Sequence, residues 1–275
     1  MKKTEFLKDV EWLYGETPEH LDNPSFKGAM WEASPGRFLL TVPRVARYLV
    51  EDGSRITITI FDGATGNMVN RFLKMTPTAA LLYQRNIMAL QAAVVVGAAG
   101  AVLLTGNSSS GKSTLLAALV MRGYRMMSDD LAVLDLAKPE QIQTVGTFSE
   151  IALWPDVVQK LIPPFALSSE KESGERVIFD LSPQFVSEPV PLLAIFQIDV
   201  KNIKEVEEET VQGAYRFRIP RNFTYNAFIA DALFDHEAYF QNCAVLARNR
   251  LVTLRRPRAV WRVDELSDRV GKVLR

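Results

Sequence analysis

Cysteine and histidine are scarce in this chain: 275 residues contain one cysteine and two histidines. Cys243 has no second cysteine with which to form an internal disulfide, and the three side chains together are too few for a zinc cluster built from those residue types. A reducing, cytoplasmic setting is the expected one. An excess of charge of one sign is also missing, because 32 Lys and Arg balance 32 Asp and Glu. That balance argues against a nucleic-acid partner or an anionic membrane surface, so any acidic ligand must be held by local charge. The opening MKKTEFLKDVEWLYGETPEH mixes charge with apolar residues and lacks the continuous apolar core of a signal peptide, so export by that route is not expected. The long apolar stretch LQAAVVVGAAGAVLLTG is interrupted by glycines, whereas a membrane span needs about 20 apolar residues. It predicts two strands and a turn, and no membrane partner.

Residues 1–85 carry short β signals. GRFLLTVP and RITITIFDG hold β-branched or aromatic residues between glycine or proline, and the second alternates at Ile56, Ile58 and Ile60. A small sheet-containing N-terminal accessory domain is predicted there, followed by a second domain over 86–275. TPTAALLYQRNIMALQAA reads as a helix with Thr76 or Thr78 near its start. The order then becomes strand, glycine loop, helix, strand: AVLLTG, the loop, STLLAALVMRG ending at Gly123, and RMMSDDLAVLDL interrupted by its acidic pair. Further β candidates are RVIFDLS, PLLAIFQIDV, YRFRIP and RLVTLRRP, and helical ones are FTYNAFIADALFDHEAYFQNCAVLAR and VDELSDRVGKVL. LSSEKESGER and KNIKEVEEE are polar and predicted to be mobile.

The loop is the specific feature. Gly106, Asn107, Ser108, Ser109, Ser110, Gly111, Lys112 and Ser113, followed by Thr114, match G-x-x-x-x-G-K-[ST] in full. Glycines let the backbone fold tightly, so successive amide N–H groups converge on an anion. The helix after Lys112 adds the positive end of its dipole, Lys112 reaches outer phosphates, and the Ser113 hydroxyl ligates magnesium. Together these predict a site for a nucleoside triphosphate. Asp129 and Asp130 are the second half. Adjacent strand residues point to opposite faces, so only a strand end or bulge brings both carboxylates to the phosphates. There, one binds magnesium and the other accepts the proton of an attacking hydroxyl; the alternative is a solvated turn.

With these residues in place, Val102 to Leu134 resembles the HPr kinase/phosphorylase family, through GNSSSGKSTLLAALVMRGYRMMSDD. The likeness extends to HPr-kinase-like enzymes encoded beside peptide natural-product genes, including lasso-peptide precursor kinases, through VARYLVEDG, LWPD, EPVPLLAIF and LRRP. It implies an α/β fold with a P-loop core of the HPr kinase and phosphoenolpyruvate carboxykinase type, and transfer from ATP with Mg2+ to a serine hydroxyl. It further implies Asp129 as general base, Asp130 and Ser113 as metal partners, and Lys112 as phosphate ligand in catalysis. The acceptor it implies is a ribosomally made peptide precursor, with a terminal serine. A kinase of HPr, of another carrier protein or of a small molecule is the alternative, and a nucleotide-binding regulatory module without transfer is the rival of another class. The resemblance also leaves a homo-oligomer open. Two departures stand out: Gln91 occupies a position where relatives often have histidine, and the glycine-rich signature that follows the aspartate pair in bifunctional HPr enzymes is missing.

Weaker candidates are cations placed to meet spreading phosphoryl charge: Lys171, Arg176, Arg221, and the cluster Arg255, Arg256 and Arg258. Each is read first as a solvated charge. His236 has no metal-site spacing, and Cys243 reads as a small core residue. Phe223, Tyr225, Phe228, Phe234, Tyr239 and Phe240 recur at helical spacing and predict a packed face. Trp12, Trp31, Trp154 and Trp261 are too scattered to mark a site.

Overall fold

The computed structural model describes residues 5–161, 169–171 and 176–275, with side chains over 6–161 and 176–275. The chain forms two units, Met1–Ala89 with Thr224–Asn242, and Leu90–Phe223 with Cys243–Arg275. Among the described residues the architecture is mixed α/β with three sheets.

In the first unit, β1 (Glu11–Tyr14), β2 (Phe26–Lys27), β3 (Trp31–Ser34), β4 (Arg37–Val42), β5 (Ala46–Glu51) and β6 (Arg55–Ile60) build a six-stranded sheet in the order β1-β6-β5-β4-β3-β2. The isoleucine alternation in β6 buries Ile56 and Ile58, while Ile60 at the strand end stays exposed. Two helices follow, α1 (Gly66–Leu73), capped by the Thr65 side chain, and α2 (Thr76–Gln84), with Pro77 in its first turn. The predicted helix over 76–93 stops early. Asn86 takes φ +56°, and β7 (Met88–Val96) begins two residues later, buried along nearly its whole length. A run buried on both faces has no period with which to tell strand from helix.

The second unit is built on an eight-stranded sheet. Its strands are β7, β8 (Ala101–Thr105), β9 (Arg125–Ser128), β10 (Leu131–Asp135), β11 (Gln143–Val145), β15 (Val190–Lys201), β16 (Glu207–Thr210) and β17 (Arg250–Pro257). A smaller sheet holds β12 (Glu150–Leu153), β13 (Ser169–Lys171) and β14 (Val177–Asp180). The helices are α3 (Lys112–Met121), α4 (Pro155–Leu161), α5 (Tyr215–Asn222) and α8 (Val263–Leu274), while α6 (Ala227–Leu233) and much of α7 (His236–Leu246) belong to the first unit. The large sheet runs β11-β10-β7-β8-β15-β17-β16, with β9 also beside β7. The apolar stretch over 90–106 is thus two antiparallel strands and their turn, and among the described residues no helix is long and apolar enough to cross a membrane.

β8, β15 and β17 are parallel, so their carboxyl ends lie at one edge, where ligands of open α/β sheets bind. The core beneath that edge joins Leu104 of β8, Leu115 and Leu119 of α3, Phe196 of β15, Val252 of β17 and Leu266 and Val270 of α8. α8 packs on α3, and Arg122 binds Asp264 and Asp268 at 2.7 Å each. These exposed pairs contribute about 1 kcal/mol or less, so the apolar contact carries the packing.

Three local readings need correction. YRFRIP is not a strand: it forms most of α5, whose Arg216 guanidinium donates to the carbonyls of Val211, Ala247 and Asn249. The long helical candidate over 223–248 divides into α6 and α7 because Phe234 is extended and the Asp235 carboxylate caps α7 by accepting the Ala238 N–H at 2.8 Å. Part of KNIKEVEEE is ordered as β16, where Glu207 and Glu209 pair with Arg255. Most of LSSEKESGER lies outside the described residues.

Candidate functional site

β8 ends at Thr105 and α3 starts at Lys112, so residues 106–111 must turn the chain from the sheet edge into a helix. Gly106, Ser109 and Gly111 all have positive φ, +146°, +63° and +102°. Gly106 is the most constrained: a Cβ there would meet the Ile198 carbonyl oxygen of β15, and Ser110 Oγ at 2.7 Å. Gly106→Ala is therefore expected to cost about 1–3 kcal/mol through forced backbone displacement. Thermal unfolding checks this, with a drop in melting temperature of several degrees as the expected result.

The loop is held from two sides. Lys112, 6% exposed, donates from Nζ to the carbonyls of Gly106 at 2.9 Å and Asn107 at 3.2 Å. Arg256, at the end of β17, donates from Nε to the Ser110 carbonyl at 2.8 Å. Burial holds the Lys112 amine below its ordinary pKa, Asp130 and Asp129 pull it back up, and Arg176 pushes it down again. Burial likewise lowers Arg256, helped by the charge of Arg258. The first turn of α3 supplies N–H groups that have no partner within their own helix.

Asp129 and Asp130 occupy the two-residue break between β9 and β10, outside either strand. The break releases them from strict strand alternation, and both charges act on Lys112. Their surroundings differ. Asp130 lines the cavity beside Lys112 and Ser113. Asp129 is 7% exposed; its Oδ2 accepts the Ala152 N–H at 3.3 Å, and its Oδ1 has no hydrogen-bond partner among the described residues. Burial first, and then the charge of Asp130, push the Asp129 carboxyl up to about 7, against the pull of the Ser113 hydroxyl, the Ala152 N–H and Lys112. Ser110 Oγ is also buried without a partner among the described residues.

The cavity measures about 310 Å³, within the range of small-molecule sites, about 300–1,000 Å³. Ser108, Ser109, Gly111, Lys112, Ser113 and Thr114 are part of its lining, as are Asp130, Arg176 and Arg256. Lys112, Arg176, Arg256 and Arg262 outnumber the acidic lining residues Asp130 and Asp156. A chain with no net charge thus concentrates positive charge where an anion would sit.

The Hpr(Ser) kinase/phosphatase from Coxiella burnetii is structurally similar at 14% identity and a TM-score of 0.35, over 68% of this chain and 93% of that one. No protein-family model matches the chain, and no curated protein matches it either. Function must come from the site's own chemistry.

The remaining candidates separate clearly. Arg176 enters the cavity, with its guanidinium 4.8 Å from the Trp154 ring centroid. Arg221 is exposed at the end of α5 and is not part of the cavity wall. The Lys171 side chain lies outside the described residues. Within the basic cluster only Arg256 reaches the cavity, because Arg255 is engaged by Glu209 and Glu207 and Arg258 is exposed. Gln91 lines the cavity, and its N–H donates to the Phe223 carbonyl at 2.7 Å. His236 is exposed and Cys243 buried. Of the helical aromatics, Phe223, Tyr225 and Phe234 are buried and Tyr239 is half-buried, but Phe228 and Phe240 are exposed, so the predicted packed face is incomplete.

Sequence reasoning missed Trp154 and Trp261, which the fold brings to the same cavity. Their shared signal is local: each stands just before a helix, Trp154 before α4 and Trp261 before α8.

Proposed function

We propose that this cavity holds ATP with magnesium and that the protein is a kinase of serine hydroxyls, built on a P-loop core of the HPr kinase type. The observation that carries the reading is the meeting, at the first turn of α3, of Lys112, Ser113 and the Asp130 carboxylate in one positively charged cavity, with Asp129, buried and not itself part of the cavity lining, close enough for its charge to act on Lys112. A helix N-terminus after a glycine-bounded loop suits phosphate oxygens, and Lys112 has the compact charge to bind them.

Among the described residues no group of three or more His, Cys, Asp or Glu could hold a metal by itself. Magnesium does not require one, since it is commonly held by one or two carboxylates together with substrate phosphates. The Ser113 hydroxyl and Asp130 carboxylate are hard oxygen donors that fit this role. Bound with the nucleotide, the metal supplies neutralisation of charge on the phosphate oxygens.

The acceptor hydroxyl oxygen bonds to the γ-phosphorus as the bond from that phosphorus to the β,γ-bridging oxygen breaks. ADP leaves with the bond's electron pair, and the hydroxyl proton passes to Asp129. Arg176 and Arg256 oppose the charge that spreads over the transferring group. A carboxyl poised near 7 suits a general base at neutral pH. The acceptor is a ribosomally made peptide precursor of the lasso type, with a terminal serine; that choice rests on the sequence likeness in VARYLVEDG, LWPD, EPVPLLAIF and LRRP.

Intact mass spectrometry tests both parts. Three acceptors are incubated with the protein, ATP and magnesium: a lasso precursor ending in serine, the same peptide ending in alanine, and HPr. One phosphate is expected on the serine peptide alone. Phosphate on HPr instead overturns the acceptor and keeps the kinase, whereas ATP binding without transfer to any acceptor favours a nucleotide-binding module.

A further inference from the structure

The phosphate-facing residues are only part of the cavity lining. The same cavity is also lined by apolar and aromatic side chains, among them Trp154, Trp261, Val260, Val263 and Leu266. Trp154 and Trp261 are 38% and 41% exposed, a costly state for so large an apolar surface. Each ring also carries a cation over it, Arg176 at 4.8 Å from the Trp154 centroid and Lys160 at 4.9 Å from that of Trp261. Phosphate needs no such surface. A planar heterocycle does, because it stacks on an indole and is drawn further by a nearby cation.

The tryptophans and the anion loop line one and the same cavity. Arg176 lies over Trp154 at 4.8 Å and lines the same cavity as Lys112, whose amine feels its charge. We propose that Trp154 and Trp261 form the nucleobase end of the site, with Arg176 at the junction between base and phosphates. This inference rests on the nucleotide reading above and adds the part of the ligand those tryptophans hold. It treats the base as a stacked ring, recognised by its face.

The test compares a ligand that has a base with one that has none. Isothermal titration calorimetry measures ATP and inorganic tripolyphosphate against wild type, Trp154→Ala, Trp261→Ala and the two phenylalanine variants, under the same magnesium concentration. Each alanine variant is expected to weaken ATP on the order of tenfold, to leave tripolyphosphate within about twofold, and to lose less when phenylalanine restores a ring. Matching thermal melts exclude misfolding, which a partly exposed side chain makes a small hazard. Unchanged ATP affinity in both alanine variants overturns the assignment, as does an equal loss of both ligands. Equal wild-type affinity for ATP and tripolyphosphate also overturns it while sparing the anion site. If wild type binds neither ligand, the nucleotide reading falls with it.

Discussion

Replacing Asp129 by asparagine is expected to lower phosphoryl transfer by about 10²–10⁴-fold, the usual contribution of a positioned general base, while ATP affinity stays within a few-fold. Asparagine keeps an oxygen for the Ala152 N–H but cannot take a proton from the acceptor hydroxyl. The same substitution is expected to stabilise the metal-free protein. The folded Asp129 carboxyl titrates near 7, above its ordinary value of 3.8, so between those values the folded state binds the proton that the unfolded state releases. Stability therefore falls as pH rises through that window and remains lower above it. The penalty removed is that of desolvating the carboxylate beside the charge of Asp130. Melting curves without metal should show Asp129→Asn above wild type at pH 8, with the gap closing toward pH 4. A substitution that merely damaged the fold would lose activity and stability together. If instead the magnesium requirement rises and transfer survives at saturating metal, Asp129 is the metal partner and the base role passes to Asp130.

The loop was legible because its backbone leaves little choice of residue. Gly106 and Gly111 take positive φ, and Gly106 has no room for a Cβ, so their spacing forecast both the turn and the first residue of α3. The aspartate pair was legible as chemistry but not as two environments. Whether Asp129 or Asp130 faces solvent depends on how β9 breaks before β10, and on Ala152, which is distant in sequence and supplies the buried N–H. The arginine cluster shows the same boundary. Neighbours on a strand point to opposite sides, so sequence could separate Arg255 from Arg256 but could not say which would meet Glu209 and which the Ser110 carbonyl.

The helix and strand misreadings also have tertiary causes. α5 looked like a strand in YRFRIP because short alternation ignores where Arg216 finds its carbonyl partners, on segments 211 and 247–249. Trp154 and Trp261 were opaque for a related reason: a platform made by two helix entries has no spacing in the chain. Local conformation was encoded locally, whereas the cavity's aromatic lining became visible only when α4 and α8 were placed around one site.

Lys112→Met is expected to weaken ATP binding by about 10–100-fold, in line with the loss of charge-assisted hydrogen bonds worth about 1.5–3 kcal/mol, and to reduce transfer further. Methionine preserves much of the side chain's length and apolar volume, so the effect isolates the ammonium. That ammonium has two duties. It donates to the carbonyls of Gly106 and Asn107, and in the proposed nucleotide complex it would meet the outer phosphates. Removing it leaves the loop carbonyls without that donor and also strips a compensating cation from Asp129 and Asp130. Lys112→Arg should not restore function, because a planar guanidinium is broader than the point charge accommodated at this 6% exposed position. Calorimetry with ATP and with tripolyphosphate should show parallel losses for Lys112→Met, since both ligands present the phosphates the lysine binds. Unchanged tripolyphosphate affinity with weaker ATP binding would move Lys112 out of the phosphate end and sink its assigned role.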